Sequence, residues 1–214
     1  MTLFFTLLSG ISWMIVYEEC IRIGIRQKTY CMPLFALGLN LAWESIHSIY
    51  GFASGDFSAQ TIVNAAWCLL DLVILYTYFK YGKREFGDHS RGEFYAWGIL
   101  VVVTSYLVQW GFVLEFGRVP AMQYSAYIQN LIMSVMFLGL LEKRQSARGQ
   151  SMLLAAAKWI GTLAPLGIVS MNYGTPEFQP LIIILGIFCS VFDLIYIYRL
   201  GKQIKKDKEA VLPF

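Results

Sequence analysis

Seven apolar runs alternate with short polar connections along the chain, at about residues 2–17, 30–50, 61–79, 94–112, 124–141, 152–171 and 180–200. At a rise of about 1.5 Å per residue, about 20 residues cross the hydrocarbon core of a bilayer, so each run predicts a membrane-spanning helix and the first must borrow from its flanks. Rings with a polar tip, among them Trp13, Tyr17, Tyr50, Tyr78, Trp97 and Tyr198, fall near the expected ends, where they suit the headgroup layer. The pattern predicts an all-α, polytopic domain over residues 1–200 and a basic tail over 201–214. It has no basic leader and no small-residue cleavage site after the first run, so that run is expected to be a retained span.

Composition agrees. Of the 214 residues, 57% are hydrophobic and 14% charged, against about 25% charged in soluble domains, which excludes an ordinary water-soluble globule and a disordered chain. Lys and Arg gather in loops 1–2, 3–4 and 5–6 and in the tail, while Arg118 is the one basic residue in loops 2–3, 4–5 and 6–7. This asymmetry predicts an external amino terminus and a cytoplasmic carboxyl terminus, with Lys158 assigned to the inner part of span six. The Lys-x-x-Lys-Lys-x-Lys strip at 202–208 is read as facing anionic lipid rather than nucleic acid. The protein is expected to be integral to a plasma membrane in a bacterium or to the endoplasmic reticulum in a eukaryote. Cys20, Cys31, Cys68 and Cys189 lack C-x-x-C spacing, and two histidines are too few for a metal set, so the thiols are read as buried and no metal is expected.

All connections are short, so any chemistry must sit among the helices. Asn40, Trp43, Glu44 and His47 on span two recur at the spacing of Asn64, Trp67, Cys68 and Asp71 on span three. Spans three and seven share an ending, Cys68-x-x-Asp71 and Cys189-x-x-x-Asp193, each followed by an apolar-aromatic run. A parallel arrangement of spans 1–3 and 5–7 around span four is therefore expected.

Glu44, Asp71 and Asp193 lie within predicted spans. Each costs about 2.5–3.5 kcal/mol to insert, so each is expected to face a cavity or a partner rather than lipid. Residues at i, i+3, i+4 and i+7 share a helix face, which puts Asn40, Trp43, Glu44 and His47 on one side of span two. Asn64, Trp67 and Asp71 form a second mixed face, and Cys189, Asp193 and Tyr196 a third. Polar anchors between aromatic rings describe a cavity for a long apolar molecule with one reactive oxygen, in which ring faces stabilise a migrating cation by about 0.5–2 kcal/mol per contact. Counted from Tyr30 and Pro180, Glu44 and Asp193 differ in height by about 10 Å in a core of about 30 Å.

The Leu39–Glu44 segment, Leu-Asn-Leu-Ala-Trp-Glu, and Phe192-Asp193-Leu194-Ile195-Tyr196 resemble the integral-membrane terpene cyclases of fungal meroterpenoid and indole-diterpene pathways, a likeness that covers nearly the whole chain. The resemblance implies that the acids of helices two and seven, here Glu44 and Asp193, are essential. It also implies protonation of a terminal epoxide or alkene on a lipophilic prenylated substrate, ring closure of the carbocation and proton loss, without metal or cofactor. Neither D-D-x-x-D nor D-x-D-D occurs in the chain. Glu44 is the leading candidate acid, with Asp193 as acid partner or terminal base, and both are expected to open onto one shared, nearly waterless chamber. The rival reading is a small proton-coupled transporter with parallel repeats. A retinal receptor lacks a central lysine on span seven, a metal hydrolase lacks H-E-x-x-H, and a scaffold leaves three polar faces unused.

Overall fold

The computed structural model describes residues 1–175 and 178–211, among which there are seven α-helices, one short 3-10 turn at Gly82–Glu85 and no strand. The helices are α1 (Thr2–Gln27), α2 (Leu34–Ala53), α3 (Ala59–Tyr81), α4 (Arg91–Phe116), α5 (Arg118–Arg144), α6 (Met152–Met171) and α7 (Pro180–Val211). Six are long and apolar enough to cross a membrane. The exception is α2, whose Asn40, Glu44, Ser45, His47 and Ser48 dilute its apolar run. Those groups are tolerated because α2 packs against α3, α4 and α5 and has the largest share of buried positions.

The first helix is longer than its apolar run. Glu18 to Gln27 continue it, helped by the Arg22–Glu19 pair one turn apart, and Lys28 ends it in the left-handed conformation. Tyr17 consequently sits in mid-helix rather than at a headgroup boundary. At the other end of the chain, α7 runs without a break through most of the expected tail. Ser90 and Glu93 start α4 with a reciprocal capping box, and Gly117, at φ 73°, makes the sharp joint between α4 and α5.

Helix neighbours form a closed circuit, α1–α3–α2–α5–α7–α6 and back to α1, with α4 outside it against α2 and α5. Close approach depends on small residues. A Cβ on Gly38 would stand 2.6 Å from Ser105 Oγ, so glycine is what lets α2 meet α4. Large apolar side chains such as Leu7, Ile11, Leu69, Leu107, Leu114 and Ile187 point outward, as a hydrocarbon solvent requires.

A dense cluster including Val16, Cys20, Met32, Leu37, Ile74, Phe137 and Tyr196 fills one half of the circuit. Beyond it a polar clasp ties three connections together. The Arg144 guanidinium pairs with Glu85 at 2.8 Å, donates to Thr29 Oγ1 and the Tyr30 carbonyl, and lies over the Tyr30 ring. The other half, where α1, α3, α5 and α7 begin, is not filled and holds a cavity of about 300 Å³.

Candidate active site

The cavity is walled by α1, α2, α3, α5 and α6, with Ile182 of α7 at its margin. Four rings, Trp13, Tyr17, Trp43 and Trp67, supply much of the wall. Tyr17 stacks on Trp67 with centroids 5.9 Å apart, and the Trp67 indole N–H is directed at Met14 Sδ. Trp43 donates from its indole to the Met122 carbonyl at 3.0 Å, joining α2 to α5.

Glu44 is 1% exposed and reaches this chamber from α2. Its Oε1 accepts from the Tyr17 hydroxyl and, at 3.3 Å, from the Asn40 amide. Asn40 also donates to Tyr17 Oη at 2.8 Å, while its own Oδ1 accepts from Gln129 at 2.9 Å. Gln129 in turn accepts from Gln109 at 2.6 Å. Because the carbonyl of Asn40 is committed to Gln129, its N–H bonds are aimed at Tyr17 and Glu44. The amide chain thus fixes one oxygen of Glu44, while Oε2 has no hydrogen-bond partner among the described residues. Across the chamber, Tyr127 Oη, Asn130 Oδ1 and Thr162 Oγ1 are also buried and unpartnered. Buried polar atoms are seldom left unsatisfied, so these are positions where a bound molecule can supply the missing contact.

Of the ten residues singled out in the sequence, Asn40, Trp43, Glu44 and Trp67 line the chamber. Asp71 is fully buried behind Glu44, facing the Asn40 amide and the Glu44 carboxyl, and among the described residues no donor is bonded to either of its oxygens. His47 is buried edge-on to Trp43 at 5.1 Å. Asn64 accepts from Gln60 at 2.7 Å, and Gln60 rather than Asn64 reaches the cavity. Cys189 is buried near the Tyr127 carbonyl, and Tyr196 donates to Gln150 Oε1 at 2.9 Å inside the dense cluster.

Asp193 departs most from expectation. It is 1% exposed and absent from the chamber wall, because Lys158 of α6 reaches it with Nζ at 2.7 and 3.0 Å from the two carboxylate oxygens. The same ammonium donates to Ser134 Oγ of α5 at 2.7 Å. The structure therefore does not open the acids of α2 and α7 onto one chamber; it neutralises the second with a cation. The charge pattern places Lys158 in the inner excess, although a lone lysine inside an apolar helix calls for an anionic partner. Tyr17 and Gln129 were missed for a different reason: no charge or motif marks them, and only the assembled bundle sets Tyr17 of α1 on Glu44 and Gln129 of α5 on Asn40.

The model of the Pyr4-like transmembrane terpene cyclases matches residues 1–202. The Pyr4-family terpene cyclase mfmH of Annulohypoxylon moriforme is 30% identical over 95% of this chain and 86% of its own length. Terpene cyclase ascF of Acremonium egyptiacum is 29% identical over 77% of the chain, and asnovolin H synthase nvfL of Aspergillus novofumigatus 28% identical over 73%; the matched stretches span 64% and 65% of those two proteins. No solved structure matches. The chain belongs to the Pyr4-like transmembrane terpene cyclases, which makes it an integral-membrane enzyme of terpenoid cyclisation and sets the transporter reading aside.

Proposed function

We propose that the protein cyclises a prenylated substrate within the membrane, with Glu44 as the proton donor to a terminal epoxide or alkene. The observation that carries this reading is a carboxyl held by Tyr17 and Asn40 through one oxygen, with the other free, in a chamber walled by aromatic rings. Protonation opens the epoxide C–O bond and leaves a hydroxyl. The electron-poor carbon is then attacked by the chain's own double bonds, and loss of a carbon-bound proton ends the sequence. The proton count balances, so the product is an isomer. Faces of Trp13, Tyr17, Trp43 and Trp67 are placed to stabilise positive charge as it moves. Tyr127, Asn130 and Thr162 are suited to an oxygen-bearing head group at the other end of the chain.

Asp193 enters this proposal as a positioning residue that acts through Lys158. Its carboxylate holds the ammonium, and the pair ties α6 and α7 to Ser134 of α5. The circuit of helix neighbours supports a parallel repeat, since exchanging α1–α3 with α5–α7 maps the circuit onto itself. The bias of Lys and Arg supports seven crossings with the amino terminus outside and, in a eukaryotic cell, a cytoplasmic face on the endoplasmic reticulum.

The test is direct. Membranes containing the protein are incubated with epoxidised farnesyl- and geranylgeranyl-phenols and the products separated by mass spectrometry and NMR. The expected product has unchanged mass, a new hydroxyl and fewer carbon–carbon double bonds; recovery of unchanged substrate at both chain lengths, from protein shown to be folded, would count against the reading.

A further inference from the structure

Asp71 and Asp193 occupy corresponding places in the two halves of the circuit, and their surroundings differ by one charge. Asn40 and Lys158 each stand six positions after the first residue of their helix, Leu34 and Met152. Tyr17 and Ser134 each stand eleven positions before a left-handed cap residue, Lys28 and Gln145. In one half, an ammonium bonded to Ser134 meets Asp193; in the other, an amide bonded to Tyr17 meets Asp71 and Glu44. Thus the buried cluster with one acid holds a cation, and the buried cluster with two acids holds none among the described residues.

The hydrogen-bond inventory makes the imbalance concrete. Asn40 has two amide hydrogens, directed at Tyr17 Oη and Glu44 Oε1, and the Tyr17 hydroxyl hydrogen is directed at Glu44 Oε1 as well. Three carboxyl oxygens, Glu44 Oε2 and both of Asp71, remain buried with no donor among the described residues. The other titratable groups facing Asp71 are Tyr17 and Cys20 of α1 and Cys68 of α3, none of them cationic. Two adjacent carboxylates without a counter-ion do not persist in such a site, whereas one proton between them supplies both the missing donor and the missing charge.

We propose that Asp71 is a positioning residue for the reaction: its carboxyl and that of Glu44 share a single proton across the α2–α3 contact, and the pair serves as both proton source and terminal proton acceptor. In the resting pair Glu44 carries the proton on Oε2, hydrogen-bonded to the Asp71 carboxylate, and turns it to the chamber to meet the substrate. Transfer to the substrate breaks the epoxide C–O bond and leaves two neighbouring carboxylates beside the newly formed cation. That arrangement favours the cation electrostatically and then recovers the proton lost from carbon, restoring the pair. No separate base is needed. The proposal rests on Glu44 being the proton donor, and it adds that the donor is half of a dyad.

Infrared difference spectroscopy on the purified full chain in lipid nanodiscs tests it. At neutral pH the wild type is expected to show a protonated-carboxyl C=O band that shifts on exchange into D2O. Asp71→Asn is expected to lose that band, since its amide donates to Glu44, and to lower kcat by about 100-fold while KM changes little. Asp71→Glu is expected to restore both in part. Persistence of the band together with kcat in folded Asp71→Asn would overturn the proposal. Should Asp71→Asn not fold, Glu44→Gln decides the matter: its amide donates to Asp71, so the band must vanish, and a surviving band would overturn the shared proton. The band is read without substrate. A wild type that turns nothing over therefore fails the cyclase reading alone, and loss or survival of the band still judges the dyad.

Discussion

Glu44→Gln is expected to fold as the wild type does and to lose turnover, with kcat lower by about 10²–10⁴-fold, the range of a general acid. The amide is nearly isosteric with the carboxyl. Its carbonyl can still accept from Tyr17 and Asn40, and its N–H bonds fall where Oε2 lacked a partner, toward Asp71 and the chamber. Packing and hydrogen bonding are therefore preserved while the transferable proton is removed. A thermal melt of the purified variant, read beside product formation from an epoxidised prenyl-phenol, separates the two effects. Brisk cyclisation by this folded variant would remove Glu44 from the chemistry.

The second large effect concerns stability. Asp193→Asn leaves the Lys158 ammonium buried, with Ser134 and a neutral amide in place of a carboxylate. Breaking one side of a buried pair costs about 3–5 kcal/mol, whereas replacing both partners with apolar groups of similar size is often neutral or stabilising. Folded yield and activity are thus expected to fall together in Asp193→Asn and to recover together when Lys158→Met is combined with Asp193→Leu. Ser134 keeps its hydrogen bond to the Asn130 carbonyl in that double variant. Recovery of the fold without recovery of turnover would instead make Asp193 a group that touches the reacting atoms.

Much of this arrangement is legible in the chain itself. The apolar runs locate all seven helices, and the stripe of Asn40, Trp43 and Glu44 marks the face of α2 that meets the chamber. Spacing fixes the side of a helix on which a residue lies, but not what stands against it. His47 shares the stripe yet packs on Trp43, and Asn64 shares a face with Trp67 yet binds Gln60. The hydrophobic run of α1 ends at Tyr17 while its hydrogen-bonded helix continues to Gln27, so apolarity alone made a central hydroxyl look peripheral. Asp193 and Lys158 were each conspicuous as charges among apolar neighbours. Their pairing depends on the contact between α6 and α7, which one-dimensional periodicity does not encode.

The same distinction explains why the family likeness and the geometry divide the acids differently. Two carboxylates in similar aromatic settings on helices two and seven suggest similar roles. In three dimensions one has a free oxygen on a cavity and an acid neighbour, and the other has both oxygens on an ammonium. A group in the first setting can release a proton to a ligand; a group in the second holds helices together.

A structure of the full chain with a substrate analogue carrying an ammonium at the terminal position tests most directly whether the reacting carbon sits against Glu44. The ammonium is expected beside Glu44 Oε2, among Trp13, Tyr17, Trp43 and Trp67, with the Lys158–Asp193 pair intact. An analogue whose ammonium displaces Lys158 and binds Asp193 would contradict that placement.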